Sequence, residues 1–229
     1  QEAGLDTIAD SLARLRSRFV TALSTGSAEL VVTELATEAQ RILSALNTET
    51  GGVYVFGGTN GAVPPVDART LDDIAAAADT DDLFVLADRT RLPVEEGTTI
   101  DGGATADEIA GDILARLKEL ADAPATLGPF SGQLTGAQAA FLVDKVAEFD
   151  ALSDALILHQ GANGVAQRQA DAAVDRNVQR RNLAEIVASE IEDVDLAEVI
   201  ARLDQDRLAI EAAAQALAQS RELSLLNFL

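Results

Sequence analysis

The C-terminal part of the chain is a long stretch without helix breakers. From Ala166 to Leu229 there is no Pro and no Gly, and apolar residues recur at steps of three or four, the spacing of one face of an α-helix. The stretch ends in the apolar run 223–229. Because a chain end is ordered only where it docks, and a contiguous apolar patch marks an interaction site, we predict an assembly surface here. Its predicted contact residues are Leu217, Leu223, Leu225, Leu226, Phe228 and Leu229.

Charge and composition exclude several classes of function. The chain has 38 acidic and 17 basic residues, a net charge of −21. Recognition of phosphate needs clustered Lys and Arg, so we predict no nucleic-acid partner and no anionic membrane partner. No apolar stretch approaches the roughly 20 residues of a transmembrane helix, and the absence of Cys excludes disulfides and thiolate chemistry. The chain has no Met and begins at Gln1, so we expect a further segment before it.

Two amphipathic helices are predicted at the N-terminal end. The first has an apolar seam with the spacing of coiled-coil packing, formed by Leu5, Ile8, Leu12, Leu15, Phe19 and Leu23. Ser24–Ser27 interrupts the pattern, and the second helix is predicted with Glu29 in its first turn. Its apolar side consists of Val31, Leu35, Ile42 and Leu46. Both stripes require partner helices.

The character of the sequence changes after the second helix. Asn47–Gly52 is rich in turn-forming residues, Val53–Phe56 is a short β-prone run, and Gly57–Gly58 ends it. From residue 61 to about 103 the pattern predicts a small mixed insertion that forms a separate subdomain. Its β-prone runs are Leu83–Leu86 and Arg91–Val94.

Two capping boxes predict the starts of further helices. In this pattern a Thr side chain accepts a hydrogen bond from the backbone amide three residues later, and the side chain of that residue bonds back. Thr105 with Glu108 and Thr135 with Gln138 both fit.

Three interruptions are predicted in the helices that follow. Pro124–Pro129 should end the first helix, and Gly161–Gly164 should break or kink the second. The acidic run Glu190–Asp195 should separate a last helix, with Asp195 and Glu198 as its N-cap and third residue.

No motif in the sequence carries catalysis or a cofactor. Gly57–Gly61 follows a β-prone run as a phosphate loop does, but Val63–Pro65 follows in place of a helix, so a turn is the better interpretation. His159 is the only histidine and is predicted near a helix end, where its charge favours the helix dipole. The acidic run lacks the spacing and the glycine of a calcium loop. We predict no enzyme activity, no metal and no cofactor.

Four segments together resemble the flagellin superfamily, and within it the family of hook-filament junction proteins (FlgL, or hook-associated protein 3). Asn47–Thr59 (NTETGGVYVFGGT) is similar to the pattern N-x-x-x-G-x-Y-x-F-x-G, and Pro64–Val66 to a P-P-F segment. Glu192–Glu198 (EDVDLAE) is similar to D-x-D-x-A-E, and Leu223–Leu229 (LSLLNFL) to the ending L-S-L-L-N-Y-L. Each motif is weak alone, but the set covers nearly the whole chain.

The resemblance implies a mainly α fold: an elongated antiparallel helical rod of the flagellin D1 type, a small mixed α/β insertion and a long C-terminal helix. Residues 1–60 and 128–194 would form the rod, 61–127 the insertion, and 195–229 an axial-core helix of the D0 type. It implies export through the flagellar type III apparatus to the extracellular flagellum, with an export chaperone. The implied partners are further copies of the chain, another hook-associated protein and flagellin.

Two alternatives remain open from the sequence. A filament flagellin shares the terminal helices and the leucine-rich ending; the segment Tyr54–Gly58 with Pro64–Pro65 favours the junction family. A helical adaptor or signalling module would use the same seams, but it would leave the matches at both ends unexplained.

Overall fold

Helices dominate the computed structural model, which describes residues 1–29, 31–95 and 97–226. The helices are α1 (Glu2–Thr25), α2 (Val31–Leu46), α3 (Leu71–Ala76), α4 (Ala106–Leu127) and α5 (Gly136–Leu226). The strands are β1 (Glu49–Thr50) with β2 (Val53–Tyr54), and β3 (Arg91–Glu95) with β4 (Thr98–Asp101), each pair antiparallel. The predicted class, mainly α with a long C-terminal helix, is confirmed.

α1 and α2 form a helical hairpin with apolar facing sides. Five residues of the predicted α1 seam are at most 1% exposed, and Leu23 is partly buried. α1 ends because Gly26 adopts a left-handed φ of 67° and its N–H donates to the Ala22 carbonyl, a conformation that costs glycine little. The four apolar residues predicted on α2 are buried as well. Glu29 precedes α2, however, and the acid of its first turn is Glu34.

The segment between α2 and α4 is only partly regular. Gly51 and Gly52 both have positive φ between β1 and β2, the requirement of a tight two-residue hairpin turn. The run Arg91–Val94 lies in β3 as predicted. The other predicted run, Leu83–Leu86, is not a strand: Asp81–Leu83 is a 3-10 turn, and Phe84 makes an isolated bridge with Val66. β-propensity alone did not supply a partner strand there.

One apolar core draws on α1, α2, α4 and the first part of α5. Its largest fully buried side chains include Phe19, Phe56 and Phe149. This core lies within a compact unit, Gln1–Ala173, and Val174–Leu229 is a second unit. The predicted division at residues 60, 127 and 194 stays a prediction.

α4 ends within the predicted segment Pro124–Pro129, with Gly128 as its C-cap, but the predicted interruptions of α5 are wrong. Pro124 lies inside α4, which continues to Leu127, because the buried Leu120 and Ala123 hold that turn in the core. α5 is continuous through Gly161–Gly164 and through Glu190–Asp195. A helical glycine costs only about 1 kcal/mol and a like-charged pair a few tenths, less than is needed to end a long helix.

The predicted position of His159 is also wrong. The residue lies inside α5 rather than near a helix end, so the helix dipole does not act on it. His159 is half-buried and lines a cavity of about 280 Å³ together with Asn163 and Asp101.

Candidate assembly surface

The first part of α5 is built into the core. Its start is the predicted capping box: the Thr135 N–H donates to Gln138 Oε1 (3.1 Å), and the Gln138 N–H donates to Thr135 Oγ1 (3.2 Å). Further along, the Phe149 ring meets the Phe19 ring edge to face, with centroids 5.4 Å apart. Both rings are fully buried, so this pair fixes α5 against α1.

A charged network joins α5 to α4. Lys145, only 4% exposed, donates to Glu148 (2.6 Å) and to Glu119. Arg116 pairs with both acids, and the Lys145 ammonium lies 5.2 Å from the Phe141 ring centroid. A buried ammonium needs such partners because desolvating it alone is costly.

Beyond Ala173, the side chains of α5 are exposed to solvent instead of packed in the core. Every described side chain of residues 174–191 and 198–221 is exposed. Many are large and apolar: Val174, Val178, Leu183, Ile186, Val187, Ile191, Val199, Ile200, Leu203, Leu208, Ile210 and Leu217. Burying one such side chain fully is worth roughly 1.5–3 kcal/mol. This region of α5 is therefore the candidate assembly surface.

The exposed apolar residues follow two stripes. Leu183, Val187 and Ile191 are four residues apart, which places them on one helix face. Leu203, Ile210 and Leu217 are seven residues apart, the repeat of a coiled-coil seam. Helices with such stripes associate along them, so the arrangement suits lengthwise helix packing.

The predicted contact residues have different outcomes. Leu217 lies on the second stripe and is 60% exposed. Leu223, Leu225 and Leu226 fall in α5, but their side chains lie outside the described ones, and Phe228 and Leu229 lie outside the described residues. These contacts stay predictions.

The sequence-based prediction did not assign the two stripes to assembly. The seven-residue repeat from Leu203 to Leu217 was the available signal.

Two acids have shifted pKa values, and both belong to helix caps. Partial burial raises the pKa of Glu108, but hydrogen bonds from the Arg89 guanidinium and the Thr105 backbone amide outweigh it, so the pKa lies below its ordinary value. The Arg69 backbone amide, followed by the Thr70 side chain, lowers the pKa of Asp73. Both acids sit in capping boxes, at the starts of α4 and α3, where a carboxylate satisfies free backbone amides. The shifts therefore reflect helix capping.

The described part of the chain contains neither a cluster of metal-ligating residues nor a membrane-spanning helix. Its His, Asp and Glu residues form no group of three or more that suits a metal ion. None of its helices is long and apolar enough for a bilayer.

Asn47 joins the end of α2 to the segment that follows the β1–β2 hairpin. Its side-chain Nδ2 donates to the Val66 carbonyl (2.9 Å), and its Oδ1 accepts from the Val66 N–H (3.1 Å). The side chain therefore pairs with the backbone as a neighbouring strand would, which explains the Asn that opens the motif 47–59.

The aromatic and glycine residues of the same motif form a close-packed joint. Phe56 is 1% exposed, and its carbonyl accepts from the Ala106 N–H at the start of α4 (3.0 Å). A Cβ on Gly4 would lie 2.7 Å from the Phe56 ring. Gly58 has a φ of 53°, and a Cβ there would lie 2.4 Å from the Asp88 carbonyl oxygen. The motif thus ties the α1–α2 hairpin to α4.

Residues 146–229 match the family model of the bacterial flagellin C-terminal helical region. The fold is similar to a solved structure from Vibrio parahaemolyticus, described as that of a flagellar hook-associated protein, with 18% identity and a TM-score of 0.56 over 83% of this chain and 82% of the other. It is also similar to Bacillus cereus FlgL, with 17% identity and a TM-score of 0.54 over 78% and 83%. The C-terminal part of the chain is thus similar to the C-terminal helical region of bacterial flagellin, and the fold is similar to that of the two hook-associated proteins. No curated protein sequence matches it.

The flagellin match includes the whole exposed part of α5. It begins inside the buried part of the helix, before Phe149, and extends over both exposed stripes and all the predicted contact residues. The exposed stripes of α5 are the part of the described surface that suits assembly with further helices.

Proposed function

We propose that this chain is a hook-filament junction protein of the flagellin superfamily. The observation that carries the proposal is the similarity of fold to FlgL over most of both chains. The joint around Phe56 and Gly58 supports it, because it gives the junction-type motif Tyr54–Gly58 a packing role in this fold. The protein would adapt hook to filament mechanically, with no catalytic step and no cofactor.

The contacts that build the layer are assigned to α5. The stripes at 183–191 and 203–217, together with the predicted residues from Leu217 to Leu229, would pack against further copies, another hook-associated protein and flagellin. Head-to-tail contacts of this kind generate rings or helical layers rather than closed dimers. Export with a chaperone, and a position outside the cell at the end of the hook, belong to the same proposal.

A growth experiment tests the junction role. Full chain is added to isolated hooks, and the added length is measured by electron microscopy. A junction protein adds a short layer and stops, and flagellin supplied afterwards grows from that layer. Deletion of the gene should leave hooks without filaments and release flagellin into the medium. Normal filaments in the deletion strain would refute the proposal.

A filament flagellin is the second candidate, favoured by the match to the flagellin C-terminal helical region. The same growth experiment separates the two. A flagellin elongates continuously from filament seeds as long as subunits are supplied, whereas a junction protein does not.

A further inference from the structure

A polar cavity of about 280 Å³ lies between the β3–β4 hairpin and α5. One wall is formed by β4 and the loop that follows it, within residues 99–104, and the other by residues 159–169 of α5. Both walls belong to the compact unit Gln1–Ala173. The cavity is therefore separate from the candidate assembly surface.

Hydrogen bonds hold both walls in place. On the hairpin side, the Gly102 N–H donates to the Thr90 carbonyl, and a Cβ on Gly102 would lie only 2.7 Å from the same oxygen. On the helix side, Gln160 Nε2 donates to Asp6 Oδ1 on α1 (2.8 Å). A cavity with fixed walls is preformed, so a ligand does not have to order the chain before it binds.

The charges in the lining are balanced. Arg89 and Asp101 both line the cavity, and each forms an ion pair with a residue outside the lining. Arg89 Nε donates to both carboxylate oxygens of Glu108 (2.9 and 2.8 Å), and Asp101 Oδ1 lies 3.6 Å from Arg91 Nε. Because these charges are already neutralised, an ionic ligand would lose its hydration without gaining a free counter-charge. The lining thus favours a neutral ligand.

Three side chains of the helix wall can bind such a ligand by hydrogen bonds, namely His159, Asn163 and Gln169. Within the described part of the chain, none of the three has a hydrogen-bond partner. A side-chain amide and a neutral imidazole each contain both a donor and an acceptor. A hydroxyl group also donates and accepts, so these side chains match a ligand that carries several hydroxyls.

Apolar side chains complete the lining. Ile100 lies on the hairpin wall, and Val165 on the helix wall is accompanied by Ala162 and Ala166. Ile100 is buried and Val165 is 45% exposed. A sugar ring has C–H groups on its faces and hydroxyls around its edge, so it requires apolar contacts and hydrogen bonds in the same site. The cavity offers both.

We propose that this cavity binds a neutral monosaccharide. The sugar hydroxyls would bond to His159, Asn163 and Gln169, and the C–H groups of the ring would cover Ile100 and Val165. A volume of about 280 Å³ is at the lower end of small-molecule sites, which span roughly 300–1,000 Å³. This size suits a single sugar ring.

Nuclear magnetic resonance on the full chain tests the proposal. His159 is the only histidine, so the signals of its imidazole ring report on the cavity without overlap from another histidine. D-glucose, D-galactose and D-mannose are titrated separately at constant pH. We expect at least one of them to shift the His159 signals saturably. Glucuronate and glucosamine, which carry a charge on the same type of ring, should bind more weakly.

Gln169→Ala and Gln167→Ala form a matched pair of variants. Both remove an exposed amide from the same helix, but Gln169 lines the cavity and Gln167 does not. The loss of one hydrogen bond should weaken sugar binding about fivefold in Gln169→Ala and leave it unchanged in Gln167→Ala. Circular dichroism checks that both variants keep the helix content of the unaltered chain.

Three results would overturn the proposal. The first is no saturable shift of the His159 signals at about 0.1 M of each sugar, a concentration that saturates a site with a millimolar Kd. The second is tighter binding of glucuronate or glucosamine than of the neutral sugars. The third is an equal loss of binding in Gln167→Ala and Gln169→Ala, which would place the sugar elsewhere on α5. Addition to isolated hooks is a separate measurement, so the junction role can fail while the sugar site stands, and the reverse.

Discussion

The two parts of α5 should respond in opposite ways to truncation of a large apolar side chain. Phe149 is fully buried, and its ring meets the Phe19 ring at 83° and 5.4 Å. Replacing a buried Phe by Ala removes its transfer free energy and leaves a cavity, about 3–5 kcal/mol in total. Roughly 0.5–1.5 kcal/mol of this comes from the aromatic pair. We expect Phe149→Ala to lower the free energy of unfolding by this amount.

Leu203→Ala is the contrasting variant on the same helix. Leu203 is 68% exposed, so only about a third of the roughly 1.5–3 kcal/mol for full burial of a Leu is at stake. We expect a loss below about 1 kcal/mol in the free energy of unfolding. The same variant should weaken addition to hooks, because the lost side chain belongs to the second stripe.

Urea titration followed by circular dichroism measures both effects, with the midpoint and slope fitted together. Phe19→Leu combined with Phe149→Leu completes a double-mutant cycle that isolates the ring contact. A loss below about 1 kcal/mol for Phe149→Ala would refute the assignment of α5 to the core. Equal losses for Phe149→Ala and Leu203→Ala would refute the division of the helix into a packed part and an exposed part.

Three further variants test local features. Lys145→Met should lower the free energy of unfolding by about 1–3 kcal/mol in urea titrations, because it removes the shared partner of two carboxylates. The folded-state pKa of Glu108 lies below its ordinary value of 4.5, so its stabilising contribution is present above that value and is lost as pH falls through the folded pKa; Glu108→Gln should remove this part of the acid-induced loss of stability. Gly58→Ala should cost more than about 1 kcal/mol, whereas Gly97→Ala, also at positive φ but with open space around it, should cost less in the same thermal-unfolding assay.

Local signals predicted the fold where side chain and backbone interact within one turn. The box of Thr135 and Gln138 starts α5 as predicted, and that of Thr105 and Glu108 starts α4. These pairs depend on residues three apart, so the sequence contains all of the information. The α1 seam was equally readable, because its spacing reports one face of a helix.

Predictions failed where a local preference competed with the rest of a helix. α4 ends inside the predicted segment Pro124–Pro129, but Pro124 itself does not end it, because buried neighbours hold the last turn as far as Leu127. A Cβ on Gly161 would meet no neighbouring atom. The free-energy cost of this glycine in the helix is small beside the stability of the long helix around it. The helix-breaking preference of a Pro or Gly can be predicted from a few residues of sequence, but the tertiary packing that opposes it cannot.

The candidate assembly surface was less predictable from the sequence than the starts of the helices. Leu217 was predicted as a contact residue, but the stripe of Leu183, Val187 and Ile191 was not assigned to assembly. Which residues of a long helix are covered depends on contacts far away in sequence. The exposed state of residues 174–191 was therefore not readable from periodicity, which is the same for a covered seam.

The exposed part of α5 gains little stability from the i to i+4 ion pairs along its surface, and this links its order to assembly. Examples are Arg202 with Glu198 (2.6 Å) and Arg207 with Glu211 (3.5 Å). Each is worth about 0.3–0.5 kcal/mol, whereas fixing one residue costs roughly 1–2 kcal/mol of backbone entropy. Long helices in proteins owe most of their stability to packing of an apolar face. A partner that covers the stripes therefore supplies both the binding energy and the order of the helix, so subunit contact and helix formation belong to one equilibrium.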